Sequence, residues 1–406
     1  MSSVIPAVSC CTVCGSSNLS PRISFGKQPP SNRFLLNASG AEGEESYPLS
    51  LGFCAVCGTI QLVDRMPQEA MRPRYDWLVY NEPEGHLDDV ANRLATLPGV
   101  HKSSRFLGVT YKDQSTLSRM EQKGFSTVQC INEQHLETAI APIGLETIQA
   151  KLTQASTINQ LKDRYGQAEV LLVRHIVEHA TSATQLVRSL SALVAPNGYM
   201  MIELPDSERI FSALNYPFVW EEHISYLTAT SATRLAREAN AEVAWLGRYP
   251  YAYEDSLVLV LRFPEQTIAT ADVDSAPDAA IVDKQLSNFA SQFETVRAQW
   301  RAKLEGLRAQ GETIAVFGAG HLAAKFINFF GFGDLIECVI DDHPKKAGMK
   351  MPGSGLPIIP SARLQELGIR WCVSTLSPES EIKVRAKLTG FFDNGGTFIS
   401  AFNVGG

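Results

Sequence analysis

Gly311-Glu-Thr-Ile-Ala-Val-Phe-Gly318-Ala-Gly320-His321-Leu322-Ala323 reads as a short apolar strand that runs into a glycine-rich turn and then a helix. The turn carries the first two glycines of the G-x-G-x-x-G/A pattern and an alanine in the third place. The next expected strand, Ile336–Ile340, ends in Asp341-Asp342, at the spacing of an acid that binds a ribose. Glycines at such a turn let a phosphate approach backbone amides at a helix N-terminus. Gly318, Gly320, His321 and Asp342 are therefore candidate ligand contacts, although the same turn can hold a dinucleotide, a nucleotide-sugar pyrophosphate or nothing.

Upstream of this unit, Leu286, Phe289, Phe293, Val296, Trp300, Leu304 and Leu307 step by three and four, the signature of a long amphipathic helix whose stripe packs between domains. A Pro-, Ala- and Thr-rich connector, Phe263 to Asp278, precedes it. Further back, expected strands Phe106–Tyr111, Phe125–Ile131, Ala168–Val173 and Gly198–Ile202 alternate with helices over Thr116–Lys123 and Thr181–Val194. A helix near Ser231–Ala239 and strands Glu242–Leu246 and Leu257–Phe263 complete the set. Strands alternating with helices imply an α/β fold with a largely parallel sheet, and ligands in such sheets sit at the carboxyl ends of the strands.

Phe218–Leu227 sets Glu221 and Glu222 beside His223, between Tyr216, Phe218 and Trp220 on one side and Tyr226 on the other. An imidazole near a carboxylate has the proton affinity of a general base, and it is equally the pattern of a packed, hydrogen-bonded histidine. Arg174-His175-Ile-Val-Glu178-His179 matches H-x-x-E-H, but it follows a strand directly, which places His175 and His179 poorly for sharing one metal.

Five of the eight cysteines fall within the first 57 residues. Cys11-Thr-Val-Cys14-Gly and Cys54-Ala-Val-Cys57-Gly are paired knuckles joined by a polar, Pro- and Gly-bearing loop, and Cys10 is a rival to Cys11 that breaks the spacing. Four thiolates close a tetrahedral site, so the expected zinc is structural. The chain has 406 residues, 45% hydrophobic and 19% charged, with a net charge of -7. That length implies more than one domain, and that charge disfavours nucleic acid or an anionic membrane as partner. With no signal-peptide pattern and no long apolar run, a cytoplasmic protein with a small-molecule substrate is expected.

Two C-x-x-C-G knuckles, an aromatic segment holding Tyr75, Trp77 and Tyr80, a core with the Glu221-Glu222-His223-x-Ser225-Tyr226 stretch and a terminal strand-glycine-helix unit occur in one chain. The combination resembles the S-adenosylmethionine-dependent C-methyltransferases of deoxysugar biosynthesis, which act on nucleotide-linked keto-sugars. The resemblance implies a zinc-binding domain over residues 1–74 and a Rossmann-type methyltransferase core over 75–265. It implies a linker and long helix over 266–309 and a C-terminal Rossmann-like nucleotide-sugar-binding domain over 310–406.

It further implies that His223 is the base that makes an enolate, that Glu222 orients it, and that His179 is a donor to the enolate oxygen or a substrate contact. Tyr75 or Tyr80 matches a family tyrosine, and Trp220 stands where the family has another. The cofactor loop departs from the family pattern: Thr110 and Gln114 replace glycines and Asn132 replaces an acid, leaving Gly108, Asp113, Asn132 and Glu133 as the candidate contacts. Leu322 replaces a common lysine, leaving His321 or Lys325 for phosphate. An epimerase-like relative that moves a proton without a methyl group, or a non-catalytic binding subunit, are the alternatives these departures leave open.

Overall fold

The computed structural model describes residues 8, 10–36, 44–72, 74–75, 82–136, 145–264 and 276–402, except for the side chains of 145–147 and 276–278. Its strands in chain order are β1 Leu19–Gln28, β2 Tyr47–Cys54, β3 Ile60–Leu62, β4 Arg105–Gly108, β5 Thr127–Cys130, β6 Ala168–Arg174, β7 Val194–Asp206, β8 Ser225–Tyr226, β9 Glu242–Tyr249 and β10 Asp255–Arg262. They continue with β11 Thr313–Phe317, β12 Cys338–Ile340, β13 Ile358–Ile359, β14 Ile369–Ser374 and β15 Thr397–Ser400. Three sheets result, ordered β1-β2-β3-β8, β5-β4-β6-β7-β10-β9 and β13-β12-β11-β14-β15.

The central sheet is parallel from β5 through β7, and β10 pairs antiparallel with both β7 and β9. Its strands are apolar on both faces because helices cover both, as in β6, where Val170, Leu171, Leu172 and Val173 are all fully buried. The last sheet is parallel throughout, with β11 in the middle. Two expectations need correction. The apolar run Phe106–Tyr111 ends as a strand at Gly108, because Thr110 caps a short turn over Tyr111–Asp113. The segment between the cysteine knuckles holds two antiparallel strands, β1 and β2, rather than only loop.

The first sheet rests on the knuckles. Cys11, Cys14, Cys54 and Cys57 offer four sulfurs within 4.8 Å of one another, while Cys10 is exposed and outside the cluster. The Cys11–Cys57 and Cys14–Cys54 sulfur separations are 3.5 and 3.6 Å, far longer than a disulfide and close to the spacing of about 3.8 Å expected for thiolates around one zinc. The first knuckle also docks on the core: Thr184 Oγ1 donates to Val13 O at 2.6 Å and Ser225 Oγ to Thr12 Oγ1 at 2.8 Å.

The helix Ala276–Ala309 is the spine of the molecule. Leu286, Phe289, Phe293, Val296, Trp300, Leu304 and Leu307 are buried in one cluster with Phe25, Leu49 and Phe53 of the first sheet, Phe211 and Tyr216 of the core, and Phe326 and Phe330 of the last unit. A second junction is polar. Lys325 and Glu221, 0% and 1% exposed, form an ion pair at 2.7 Å. The other Glu221 oxygen accepts the Ser31 amide, and Asn32 Nδ2 donates to Glu222 Oε1 at 2.6 Å. Burial alone would raise the Glu221 pKa, but Lys325 outweighs it and holds the carboxyl below its usual range.

Two outcomes are expected. Stripping the metal with a strong chelator releases zinc together with four reactive thiols and unfolds the first sheet, measured as matched zinc release, thiol titration and loss of the thermal transition. Lys325→Met destabilises by about 3–5 kcal/mol in urea unfolding, because a buried carboxylate is left unpaired, and adding Glu221→Gln restores much of that loss.

Candidate functional site

A cavity of about 630 Å³ opens where the carboxyl ends of β6 and β7 face the last unit. Its core wall includes His175, Glu178, His179, Pro205, Glu222 and His223, and the Tyr251–Glu254 turn closes another side. The opposite wall is His321 and Leu322 with the start of the helix Pro378–Lys387. This is the strand-end position expected of a ligand site in an α/β sheet.

Backbone bonds hold His223 from both directions. After it, Ile224 N and Ser225 N both donate to Glu178 O, at 2.8 and 3.0 Å, and β8 pairs with β3 of the zinc-bearing sheet. Before it, Glu222 O accepts His179 Nδ1–H at 2.8 Å. A carbonyl can only accept, so His179 carries a proton on Nδ1, and the neutral ring then has its lone pair on Nε2. The His179 and His223 rings meet edge to face at 5.0 Å, and Trp220 stacks on His321 at 4.0 Å. Burial, followed by the neighbouring His179, His321 and His175, keeps the His223 pKa well below the ordinary value, so its ring is neutral.

Below these rings lies a buried charge network. Glu203 accepts from Arg174, from His86 Nε2 at 2.9 Å, from His175 Nε2 at 3.3 Å and from Ser256 Oγ at 3.1 Å. His175 adopts a left-handed φ of 54°, strain tolerated in a non-glycine residue where the surroundings dictate it. Burial disfavours its charge, yet Glu82, Glu178 and Glu203 outweigh burial and push the His175 pKa up to about 10. Glu254 goes the other way. Burial, then Glu82, pushes its carboxyl up to about 8, so it keeps its proton at neutral pH.

The structure brings His223, Glu222, His179, Trp220 and His321 to one cavity and corrects several other expectations. The Glu222 carboxylate accepts from Asn32 Nδ2, and its carbonyl accepts from His179 Nδ1. Glu178 places a carboxylate oxygen within 4.8 Å of a His179 nitrogen and a His223 nitrogen.

Asp113 is not a free cofactor contact. It is fully buried and accepts the amides of Val109, Thr110 and Arg174 at 2.8, 2.8 and 3.0 Å. Gly108 is needed beneath it, since a Cβ there would sit 2.7 Å from Asp113 Cβ. Asn132 is exposed and its Oδ1 accepts the Gln134 amide, while burial raises the Glu133 pKa.

The glycine turn is likewise satisfied internally. Gly318 N donates to Ile340 O, Ala319 N to Asp341 Oδ2 and Gly320 N to Gly318 O, so the amides of the turn itself are engaged within the protein. Gly318 has φ 102° and a Cβ there would lie 2.9 Å from Thr375 Oγ1, which accounts for the glycine by packing. Asp342 is held by Ser361 and by Lys387 at 2.6 Å, and Lys325 is spent on Glu221. Tyr75 lies outside the cavity and donates to Phe34 O at 3.2 Å, and Tyr80 falls outside the described residues.

Sequence reasoning passed over Glu178, Glu203, Glu254 and His86 as site residues. Glu203 lies in the last part of β7, the strand that leads to the cavity, which is a usable signal; the Ser31 and Asn32 contacts span 190 residues and leave none.

Comparisons with known proteins agree with this layout. Residues 11–71 match a zinc-binding-domain model, residues 52–245 a methyltransferase-domain model, and residues 277–402 the model of the C-methyltransferase C-terminal domain. The chain is 23% identical over 372 residues to the C-methyltransferase NovU of Streptomyces niveus, covering 88% of this chain and 87% of that one. Similar solved structures include the 1,6-didemethyltoxoflavin-N1-methyltransferase of Burkholderia thailandensis, 13% identical, covering 45% of this chain and 80% of its own, with a TM-score of 0.30. A SAM-dependent methyltransferase of Archaeoglobus fulgidus is 11% identical over 44% of this chain and 95% of its own, also with a TM-score of 0.30. With the three matches in this order along it, the chain is similar to C-methyltransferases over a zinc-binding domain, a methyltransferase domain and a C-methyltransferase C-terminal domain.

Proposed function

We propose that the protein is a C-methyltransferase of nucleotide-linked keto-sugars in which His223 removes the proton beside the ketone. The observation that carries this reading is the neutral His223 ring on the wall of a cavity at the strand ends, fixed by backbone bonds on both sides. The C–H bond breaks, the proton passes to a His223 ring nitrogen, and the electron pair moves onto the ketone oxygen to give an enolate. His179, its proton committed to Glu222 O, cannot also donate to that oxygen in its neutral form; it is suited to accept a sugar hydroxyl. Glu254 lines the same cavity and holds a proton it can share with the enolate.

S-adenosylmethionine, the methyl donor this family implies, carries a sulfonium cation, and the donor set of the cavity suits it. Glu82, Glu84 and Glu178 line the cavity. When bound it supplies the electrophilic methyl group that the carbanion takes up. Lys383, on the C-terminal wall, is the lining cation that a substrate diphosphate would face, and Trp220, Phe218 and Tyr253 offer flat surfaces to sugar or base. A second reading, proton exchange without methyl transfer, is favoured by one observation. The loop amides of Val109, Thr110 and Arg174 are already bound by Asp113.

The test is to incubate the protein with a nucleotide-linked keto-sugar in deuterated water, with and without labelled S-adenosylmethionine. Methylated product with exchange at the same carbon is expected, whereas exchange without methylation would move the assignment to the second reading. His223→Asn is expected to lower exchange by about 100- to 10,000-fold with the fold intact by circular dichroism. Glu254→Gln, which keeps a donor, is expected to stay within about tenfold of the parent, while Glu254→Leu loses on the order of 100-fold, measured as kcat for the same exchange.

A further inference from the structure

The cavity contains a constellation that the enolate chemistry does not use. Glu178 Oε, a His179 nitrogen and a His223 nitrogen all lie within 4.8 Å of one another. Glu178 is 2% exposed, and neither of its carboxylate oxygens has a hydrogen-bond partner among the described residues. Its described ionic partner is His175, whose Nδ1 stands 3.5 Å from Oε1 in a long ion pair. A buried carboxylate with one long ion pair and no hydrogen bond retains the capacity to meet a further positive charge.

The two imidazoles are arranged as metal ligands are. His179 is 5% exposed and donates Nδ1–H to a backbone carbonyl, the outer contact that fixes the tautomer and leaves Nε2 as a lone pair for a metal. His223 is half-buried, and its ring stands edge to face against His179 at 5.0 Å. Two imidazoles and one carboxylate with an open side toward a cavity suit a divalent transition ion that keeps positions for water or a ligand oxygen. The sequence motif H-x-x-E-H contributes its last two residues, and the third ligand comes from a different segment.

We propose that Glu178, His179 and His223 form a second metal site, distinct from the four-cysteine zinc, that binds a divalent transition ion and thereby holds the enzyme inactive. The inhibitory consequence rests on the assignment of His223 as the base, because a metal on that ring takes the lone pair that would accept the substrate proton. The binding site itself does not depend on that assignment.

The experiment uses the full-length, zinc-loaded protein titrated with Co²⁺. Visible d–d bands of nitrogen- and oxygen-ligated cobalt are expected to saturate without the ultraviolet sulfur-to-cobalt band that would mark exchange into the cysteine cluster. Glu178→Gln and His179→Ala, each checked for fold and zinc content, are expected to weaken cobalt binding by about 100-fold. Over the same cobalt range, deuterium exchange into the keto-sugar is expected to fall at least about tenfold in the parent protein.

Absence of the bands at millimolar cobalt, or bands unchanged in both variants, overturns the site. Bands with exchange accelerated rather than suppressed overturn the inhibitory role. Cobalt bands in a protein that shows no exchange even when metal-stripped at this site and zinc-loaded at the cysteines overturn the assignment of His223 while leaving the metal site standing.

Discussion

Two adjacent buried carboxylates join three parts of this protein. Glu221 is bonded to Lys325 of the last unit and to Ser31 of the zinc-bearing segment, and Glu222 to Asn32 of the same segment. Each carboxylate has given up most of its hydration, a loss offset only if the partners arrive in the right geometry. Those partners lie on elements that meet only when the first sheet and the last unit are both docked on the core. The helix Ala276–Ala309 supplies the apolar half of the same constraint by burying one face against all three.

The consequence reaches the next residue in the chain. With Glu221 and Glu222 fixed, His223 has little freedom, and the bonds from Ile224 and Ser225 to Glu178 O remove what is left. Its position is therefore set by contacts to the zinc-bearing sheet and to the loop after β6, not by a carboxylate bonded to its own ring. This is a structural role for a metal that never touches the substrate cavity. Loss of the four-thiolate site would release β3, and with it β8, which begins two residues after the histidine.

Charge gives the cavity its chemical character. Glu203 accepts from Arg174, His86, His175 and Ser256, whereas Glu178 has one long ion pair to His175 and no hydrogen bond. Burial and then Glu82, rather than any lack of partners, keep the Glu254 carboxyl protonated.

Local pattern determined a good deal by itself. Cys-x-x-Cys spacing identified the four thiolates, because a knuckle is a local turn. The three-and-four stepping identified the long helix, and alternating apolar runs identified the α/β core and the strand that enters the glycine turn. Strands β1 and β2 escaped notice because their pairing is set by each other and by the docked helix rather than by a period within either.

The site was legible in residue type and not in role. His223, His179, Trp220 and His321 were recognisable, but which atoms each would engage depended on partners distant in the chain. Asn32 reaches Glu222 across 190 residues, and Asp113 folds back on amides of its own loop and of β6. The sequence alone therefore determined which segments would become strands, helices and a metal knuckle, since short-range sterics and spacing control those. Only the tertiary structure decided that the Glu222 carbonyl meets His179, that Asp341 caps the Ala319 amide of the glycine turn, and that Glu178 joins the two histidines. A buried polar group takes whichever partner the packed fold brings within hydrogen-bond distance.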